Sequence, residues 1–306
     1  MRKQAVIGAS VLALAIGSVG YVAASDGDRN AGSAAGIEAK GGVGGALPQA
    51  AGNRLVAVGL TADQRLVRFR VERPGVVLPL GGVSGLKGDS RLVGIDYRVQ
   101  NNKLYGVGDK GGVYTIREIG AKATKVSQLS VALQGRSFGV DFNPAANRLR
   151  VISDTGQNLR HNIDDPAGAP AAGTTAVDGT LTNPPVPPAT TGATATGVTG
   201  AAYTNNDLDP ATATTLFDLD TVQDQVSVQS PANAGNLAPT GKTGADLPSD
   251  AGFDIYSSPS AATNTGYAVT GSRTLRIDLL TGRATVTGGF PKSRQVVDLA
   301  LPPRQG

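Results

Sequence analysis

The sequence predicts an all-β fold, a β-propeller of five four-stranded blades whose ring closes when the C-terminal strand joins the first three strands of the folded body. Three observations carry that prediction. Beyond the N-terminus no stretch sustains a helical apolar period, and short apolar-alternating runs are separated by turn residues rich in Gly, Asn, Asp and Thr. The runs recur as a unit of roughly 45 residues, the size of a propeller blade. The two ends of the body hold complementary fragments of one further unit.

Taken in order, Arg2 and Lys3 precede an almost unbroken apolar run from Ala5 to Ala24, with small residues at Val22 and Ala24. That pattern predicts a secretory signal peptide over residues 1–24. The run is about 20 residues, long enough to span a bilayer if it is retained; without it, no stable membrane insertion is expected. Either way the body is exported, to the medium or the cell envelope. Residues 25–52 are Gly/Ala-rich and nearly free of large apolar side chains, and read as a flexible tether. Residues 53–302 form the propeller domain and 303–306 a tail. A domain of about 250 residues buries an ample core without covalent staples, which fits a chain with no cysteine. Cysteine nucleophiles and thiolate metal sites are thereby excluded. The net charge of +4 is not gathered into a basic cluster or stripe, so no nucleic-acid partner is expected.

The first complete unit runs from Gly94-Ile95-Asp96-Tyr97 through Lys103–Gly108 to Gly112–Ile116. The second runs from Gly139-Val140-Asp141-Phe142 through Arg148–Ile152 to Asn158–Ile163. The third starts at Gly200-Ala201-Ala202-Tyr203 and the fourth at Gly252-Phe253-Asp254-Ile255. Starts at 94, 139, 200 and 252 give spacings of 45, 61 and 52. The longest is explained by a Pro/Thr/Ala-rich insertion at 184–199, read as an exposed loop. A weaker fourth run follows each third, as at Ala123–Leu129 and Ala284–Thr287. Val296-Val297-Asp298-Leu299 then resembles a first strand with nothing after it, while Arg54–Gly59, Arg65–Val71 and Val76–Leu80 resemble second, third and fourth strands with no first. Joining them removes the open edges of a linear array. Six blades or an open sheet are the alternatives.

The strings "GVDFNPAANRLRVISDTGQNLR", "AAYTNND" and "GFDI" resemble a bacterial exported family, domain of unknown function 4394. The resemblance extends from Asn53 to Pro302. It implies propeller-like repeats and brings no established activity, substrate or catalytic residue. The tether and the 184–199 insertion lie outside the recognisable motif.

Four features bear on chemistry. Asp154-Thr155-Gly156 carries the triplet of aspartic proteases, but those need two carboxylates sharing a proton, and the chain has no second such triplet. In register with Asp109-Lys110-Gly111 and Thr270-Gly271-Ser272, it reads as a hairpin turn. An acidic residue recurs in the first strand as Asp96, Asp141, Asp254 and Asp298, with Ala202 in the remaining unit. First strands are innermost, so these are the candidate catalytic carboxylates or calcium ligands. The structural alternative is that each satisfies backbone N–H groups or a basic residue of the next strand, such as Lys103 or Arg148. The only glutamates of the body, Glu72 and Glu118, lie in or beside third strands, which weakens a glycosidase. Asn205, Asp207 and Asp209 place oxygens at alternate positions, suited to calcium or to an Asx-rich turn, and Pro210 and Leu216 rule out an EF-hand. His161 is the only histidine; a Ser-His-Asp triad on it lacks the G-x-S-x-G elbow, and multi-histidine metal sites are impossible.

The chain has no Trp, six Phe and seven Tyr, sparse for the aromatic platforms of a lectin. The functional expectation is an exported, non-catalytic module that presents loops to a protein, glycan or cell-wall partner, without a cofactor. The alternative is a hydrolase or lyase using the inner carboxylates, with or without calcium.

Overall fold

The computed structural model describes residues 54–209, 211–258, 263–291 and 294–305. The predicted signal segment and the predicted tether lie outside the described residues. Five four-stranded antiparallel sheets form the blades. Blade I joins β20 (Val296–Ala300) to β1 (Val56–Thr61), β2 (Arg65–Arg70) and β3 (Arg73–Gly82). Blade II is β4 (Leu92–Arg98), β5 (Lys103–Gly108), β6 (Gly112–Arg117) and β7 (Lys122–Gln128). Blade III is β8 (Phe138–Asn143), β9 (Arg148–Ser153), β10 (Asn158–His161) and β11 (Thr175–Val177). Blade IV is β12 (Val198–Tyr203), β13 (Leu216–Asp220), β14 (Gln225–Gln229) and β15 (Leu237–Lys242). Blade V is β16 (Gly252–Ser258), β17 (Thr263–Thr270), β18 (Arg273–Ile277) and β19 (Ala284–Gly289). The predicted closure is present: Gly59 stands opposite Leu299, and Leu60 opposite Asp298.

Burial follows the radial order of the strands. The inner β12 and its neighbours are buried on both faces, so β12 is Val-Thr-Gly-Ala-Ala-Tyr without alternation, whereas the outer β7 alternates and carries Lys, Thr and Gln outward. Apolar clusters fill the seams between blades. One packs Leu60, Leu66, Leu92, Ile95 and Leu104 between blades I and II; another packs Val67, Phe69, Tyr267 and Leu299 between blades V and I.

The glycine that opens each complete unit has a packing cause. The first strands β4, β8, β12, β16 and β20 touch in turn around the axis. A Cβ on Gly94, Gly139, Gly200 or Gly252 would stand 2.4 to 2.6 Å from the neighbouring inner strand. No side chain fits there. The Asp154-Thr155-Gly156 triplet is the β9–β10 turn, with Gly156 at φ 85° and the Asp154 carboxylate accepting from the Arg136 N–H at 2.9 Å. Gly111 and Gly271 take the same left-handed conformation in blades II and V.

Two boundaries differ from expectation. The 184–199 insertion is exposed at its tip, but Leu181 and Ala195 are buried on either side of it, and Val198 and Thr199 already belong to β12. The residues after β20 fold back rather than trail: the Gln305 amide accepts from the Val56 N–H and donates to its C=O, both at 2.8 Å.

Closure of the ring through β20 gives a first test. A chain ending at Pro291 should lose cooperative thermal unfolding or solubility, because β1 becomes an open edge and the Leu299 pocket empties, a loss of about 2–5 kcal/mol for a large buried aliphatic side chain alone. A synthetic Arg294–Gln305 peptide added in trans should restore the transition. An unchanged melting temperature in the truncated chain would show that closure is dispensable.

Candidate functional site

Asp96, Asp141, Asp254 and Asp298 converge on the axis and are only 4 to 8% exposed. A carboxylate oxygen from each of Asp96, Asp141 and Asp254 lies within 4.8 Å of the other two. Each carboxylate reaches around the ring to a backbone N–H of the next blade. Asp298 accepts from Ile95 at 2.7 Å, Asp96 from Phe142 at 2.8 Å, Asp141 from Tyr203 at 3.1 Å and Asp254 from Leu301 at 2.6 Å. Ala202 occupies the corresponding position in blade IV, and there the Ile255 N–H turns to the carboxylate of its own neighbour, Asp254, at 2.6 Å. Inner strands of adjacent blades share no β-ladder, so these carboxylates supply acceptors that the fold otherwise lacks.

The expectation that Lys103 and Arg148 neutralise their aspartates is not met. Lys103 stands opposite Arg98, not Asp96, and Arg148 donates to Asp165 at 2.8 Å. The strand pleat is the reason. Asp96 faces Tyr105, and Asp141 faces Arg150. Burial, with repulsion from Asp254, holds the Asp96 carboxyl well above the usual carboxylate range. Burial and the Asp96 charge do the same to Asp141, and burial raises Asp298 likewise. Burial pushes Asp254 up to about 7. Such a cluster either retains protons or holds a cation, and Asp96, Asp141 and Asp254 are the residues that could ligate one.

The remaining sequence candidates are placed elsewhere. Asn205, Asp207 and Asp209 form successive Asx turns, each side-chain Oδ1 accepting from the N–H two residues on at 2.7 to 2.9 Å. Their oxygens therefore serve the loop's own backbone. His161 is buried between blades II and III, its Nε2 2.8 Å from Ser127 Oγ and its Nδ1 3.0 Å from Thr175 Oγ1. Burial pushes its pKa down to about 4. A threonine thus stands where a triad needs its acid.

One site escaped the sequence reading. A cavity of about 420 Å³ lies between blades III and IV, lined by Arg148, Arg150, Arg160 and Tyr203 together with Ala169 and the 3₁₀ turn Ala232–Ala234. Arg150 is 2% exposed. It donates to Tyr203 Oη at 3.2 Å, Asn158 Oδ1 at 2.7 Å, Asp178 Oδ2 at 2.7 Å and Asn233 Oδ1 at 2.8 Å. Arg160 stands directly opposite Arg150 in the ladder and shares Asp178 with it. A signal was present in the repeat: the residue facing the inner-strand position is Leu60, Tyr105, Phe217 and Tyr267 in the other blades, and arginine only in blade III.

The family model described as Domain of unknown function (DUF4394) matches residues 65–300. No curated protein matches the chain in sequence. Solved structures align with the chain at low identity. The nidogen/laminin complex aligns over 81% of this chain and 98% of its own, at 10% identity and a TM-score of 0.46. An auxiliary nutrient binding protein from Bacteroides thetaiotaomicron aligns over 82% of this chain and 62% of its own, at 9% identity and a TM-score of 0.43. Glutaminyl cyclase from Myxococcus xanthus aligns over 68% and 69%, at 13% identity and a TM-score of 0.35.

The carboxylate ring makes stability depend on pH with a definite sign. Its folded pKa values lie above the unfolded one, so its contribution is complete below about pH 4 and is lost as pH rises through the folded values, about 7 for Asp254. His161 acts oppositely: its folded pKa of about 4 lies below the unfolded value, so its contribution is lost as pH falls toward 4. The readout is therefore a difference. Asp141→Asn keeps an oxygen for the Tyr203 N–H and removes one charge; in EDTA its melting temperature should gain on wild type by a few degrees between about pH 4.5 and 8. Asp141→Ala also removes the acceptor and should cost about 1–3 kcal/mol throughout. A pH-independent difference for Asp141→Asn would overturn the charge account. Calcium that raises the wild-type melting temperature at the alkaline end, and not that of Asp141→Asn, would identify a cation in place of the protons.

Proposed function

The chain belongs to the DUF4394 family, and we propose that it is an exported binding module whose ligand enters the cleft between blades III and IV. The observation that carries this reading is the cleft itself: a concave site whose lining combines buried, ordered polar groups with small apolar residues, the usual make-up of a small-ligand site. The alternative, a hydrolase or lyase working through the inner carboxylates, is weakened by how those groups are used. All four accept inter-blade backbone bonds, and the residues lining the cleft do not include them. A general acid needs to reach the proton it moves, and these carboxylates are turned into the ring. Export rests on the basic and apolar N-terminal residues.

Two measurements test the reading. N-terminal sequencing of protein recovered outside the cytoplasm should begin at Ser25; a start at Met1 in the soluble cytosolic fraction would refute export. For the cleft, Ala146→Trp fills the rim from an exposed position, replaces no arginine, and keeps the backbone C=O that accepts from Arg148 at 2.9 Å. Retention on isolated cell wall and on immobilised glycans should fall by about tenfold or more in this variant while its melting temperature stays unchanged, with no new reducing ends released by either protein. Cleavage of the bound material that Asp141→Asn abolishes would instead establish the hydrolase.

A further inference from the structure

Building on the cleft as a ligand site, we infer that it takes a small organic anion, its carboxylate or phosphate held by Arg150 and Arg160 and its body lying on Ala169, Pro231 and Ala232.

The charge count is the first support. Three guanidinium groups line the cleft, and two carboxylates answer them. Arg148 pairs with Asp165 at 2.8 Å, while Arg150 and Arg160 share Asp178 at 2.7 and 3.1 Å. The nearby Arg98 and Asp164 cancel each other at 2.5 Å. Two further acids stand close to Arg150, Asp141 as its cross-strand partner and Asp218, and burial holds both carboxyls well above the ordinary carboxylate range. A buried guanidinium is costly without a full set of partners, and a monoanion would complete this one.

Donor geometry is the second support. A guanidinium carries five N–H groups. Among the described residues Arg150 uses four of them, leaving one on Nη2. Arg160 uses three, on Asp178 and the Ala169 C=O, leaving one on each Nη. The two arginines are Cα partners on adjacent strands, and both guanidinium groups meet on Asp178 Oδ2. Planar forks of this kind match two oxygens of a carboxylate or phosphate. Asp178, at 6% exposure, fixes both side chains before a ligand arrives, which limits the ordering entropy of binding. The lining also includes Pro231, Ala232 and Tyr203, whose hydroxyl accepts from Arg150, a surface for carbon and one polar contact.

Isothermal titration with D-glucuronate, D-glucose 6-phosphate, inorganic phosphate and neutral D-glucose tests the inference. The two organic acids should bind and raise the melting temperature; glucose should bind at least about tenfold more weakly, and phosphate, lacking a body, more weakly than glucose 6-phosphate. Glucuronate ahead of glucose 6-phosphate assigns the head group as carboxylate, and the reverse order assigns phosphate. Arg160→Gln removes spare donors at a partly exposed side chain and should lower affinity for the acids by about tenfold to a hundredfold, with the fold checked by circular dichroism. Arg160→Lys, which keeps charge without the fork, should recover only part of that loss. Glucose binding as tightly as the acids, or acids unaffected by Arg160→Gln, overturns the anion inference and leaves the binding module standing. Absence of binding by either acid up to about 10 mM likewise overturns it. Undiminished retention of Ala146→Trp on cell wall removes the binding cleft itself.

Discussion

Five β-strands packed edge-on around an axis leave a geometric problem that the rest of this molecule answers. Each inner strand is laddered on one side only, to the second strand of its own blade, and it touches the next inner strand without forming a ladder. Water cannot serve those N–H groups where burial is nearly complete, and an unpaired donor there costs about 1–3 kcal/mol. The short Gly-x-Asp segment solves both halves. Glycine lets the neighbouring strand within 2.4 to 2.6 Å of where a Cβ would be, and the aspartate two positions on reaches across that contact to the neighbour's backbone. One carboxylate per junction would be simple; four around one axis repel. Their raised pKa values are the electrostatic consequence of the same packing that makes them useful.

Blade IV shows how the ring tolerates a missing member. With Ala202 in the aspartate position, no inner-strand carboxylate among the described residues reaches from blade IV to blade V, and the Ile255 N–H is met by Asp254, which also serves Leu301. A fifth carboxylate would add a further charge to a cluster whose oxygens already converge within 4.8 Å. The substitution thus relieves repulsion without orphaning a donor. It also leaves Tyr203, next in sequence, as the residue that joins ring to cleft: its N–H is bound by Asp141, and its hydroxyl accepts from Arg150.

Much of this was legible in the sequence, because repetition multiplies weak signals. A single Gly-x-Asp is uninformative, but three at blade spacing, with Gly200 in the same place in the remaining unit and a fourth aspartate near the C-terminus, located the inner strands and the closure. The recurring Asp or Thr before a glycine located the β5–β6, β9–β10 and β17–β18 turns, since each needs a left-handed residue. What was not legible depends on side-chain direction across strands. Lys103 and Arg148 lie seven residues after their aspartates, a separation that suggests pairing; the ladder places Tyr105 and Arg150 opposite instead. Fold-back of Gln305 onto Val56 was likewise invisible, being a contact between residues 249 positions apart that no local pattern encodes.

The position facing the ring aspartate connects repeat to specialisation. In blades I, II, IV and V it is a leucine, tyrosine or phenylalanine, and these side chains fill the seams with apolar volume. Apolar burial needs no partner, so a repeat left to packing alone would converge on such residues in every blade. Arg150 does the reverse: it brings a charge into a seam at 2% exposure and requires Tyr203, Asn158, Asp178 and Asn233, drawn from both blades, to hold it. Replacing such a network by apolar residues is commonly neutral or stabilising, so stability does not account for it. The same blade carries the β10–β11 loop that walls the cavity, and the cavity opens where the arginine interrupts apolar packing. Departure from the repeat, open volume and unspent hydrogen-bond donors coincide at one seam, and that coincidence is what favours the proposed binding there over the carboxylates that the other blades share.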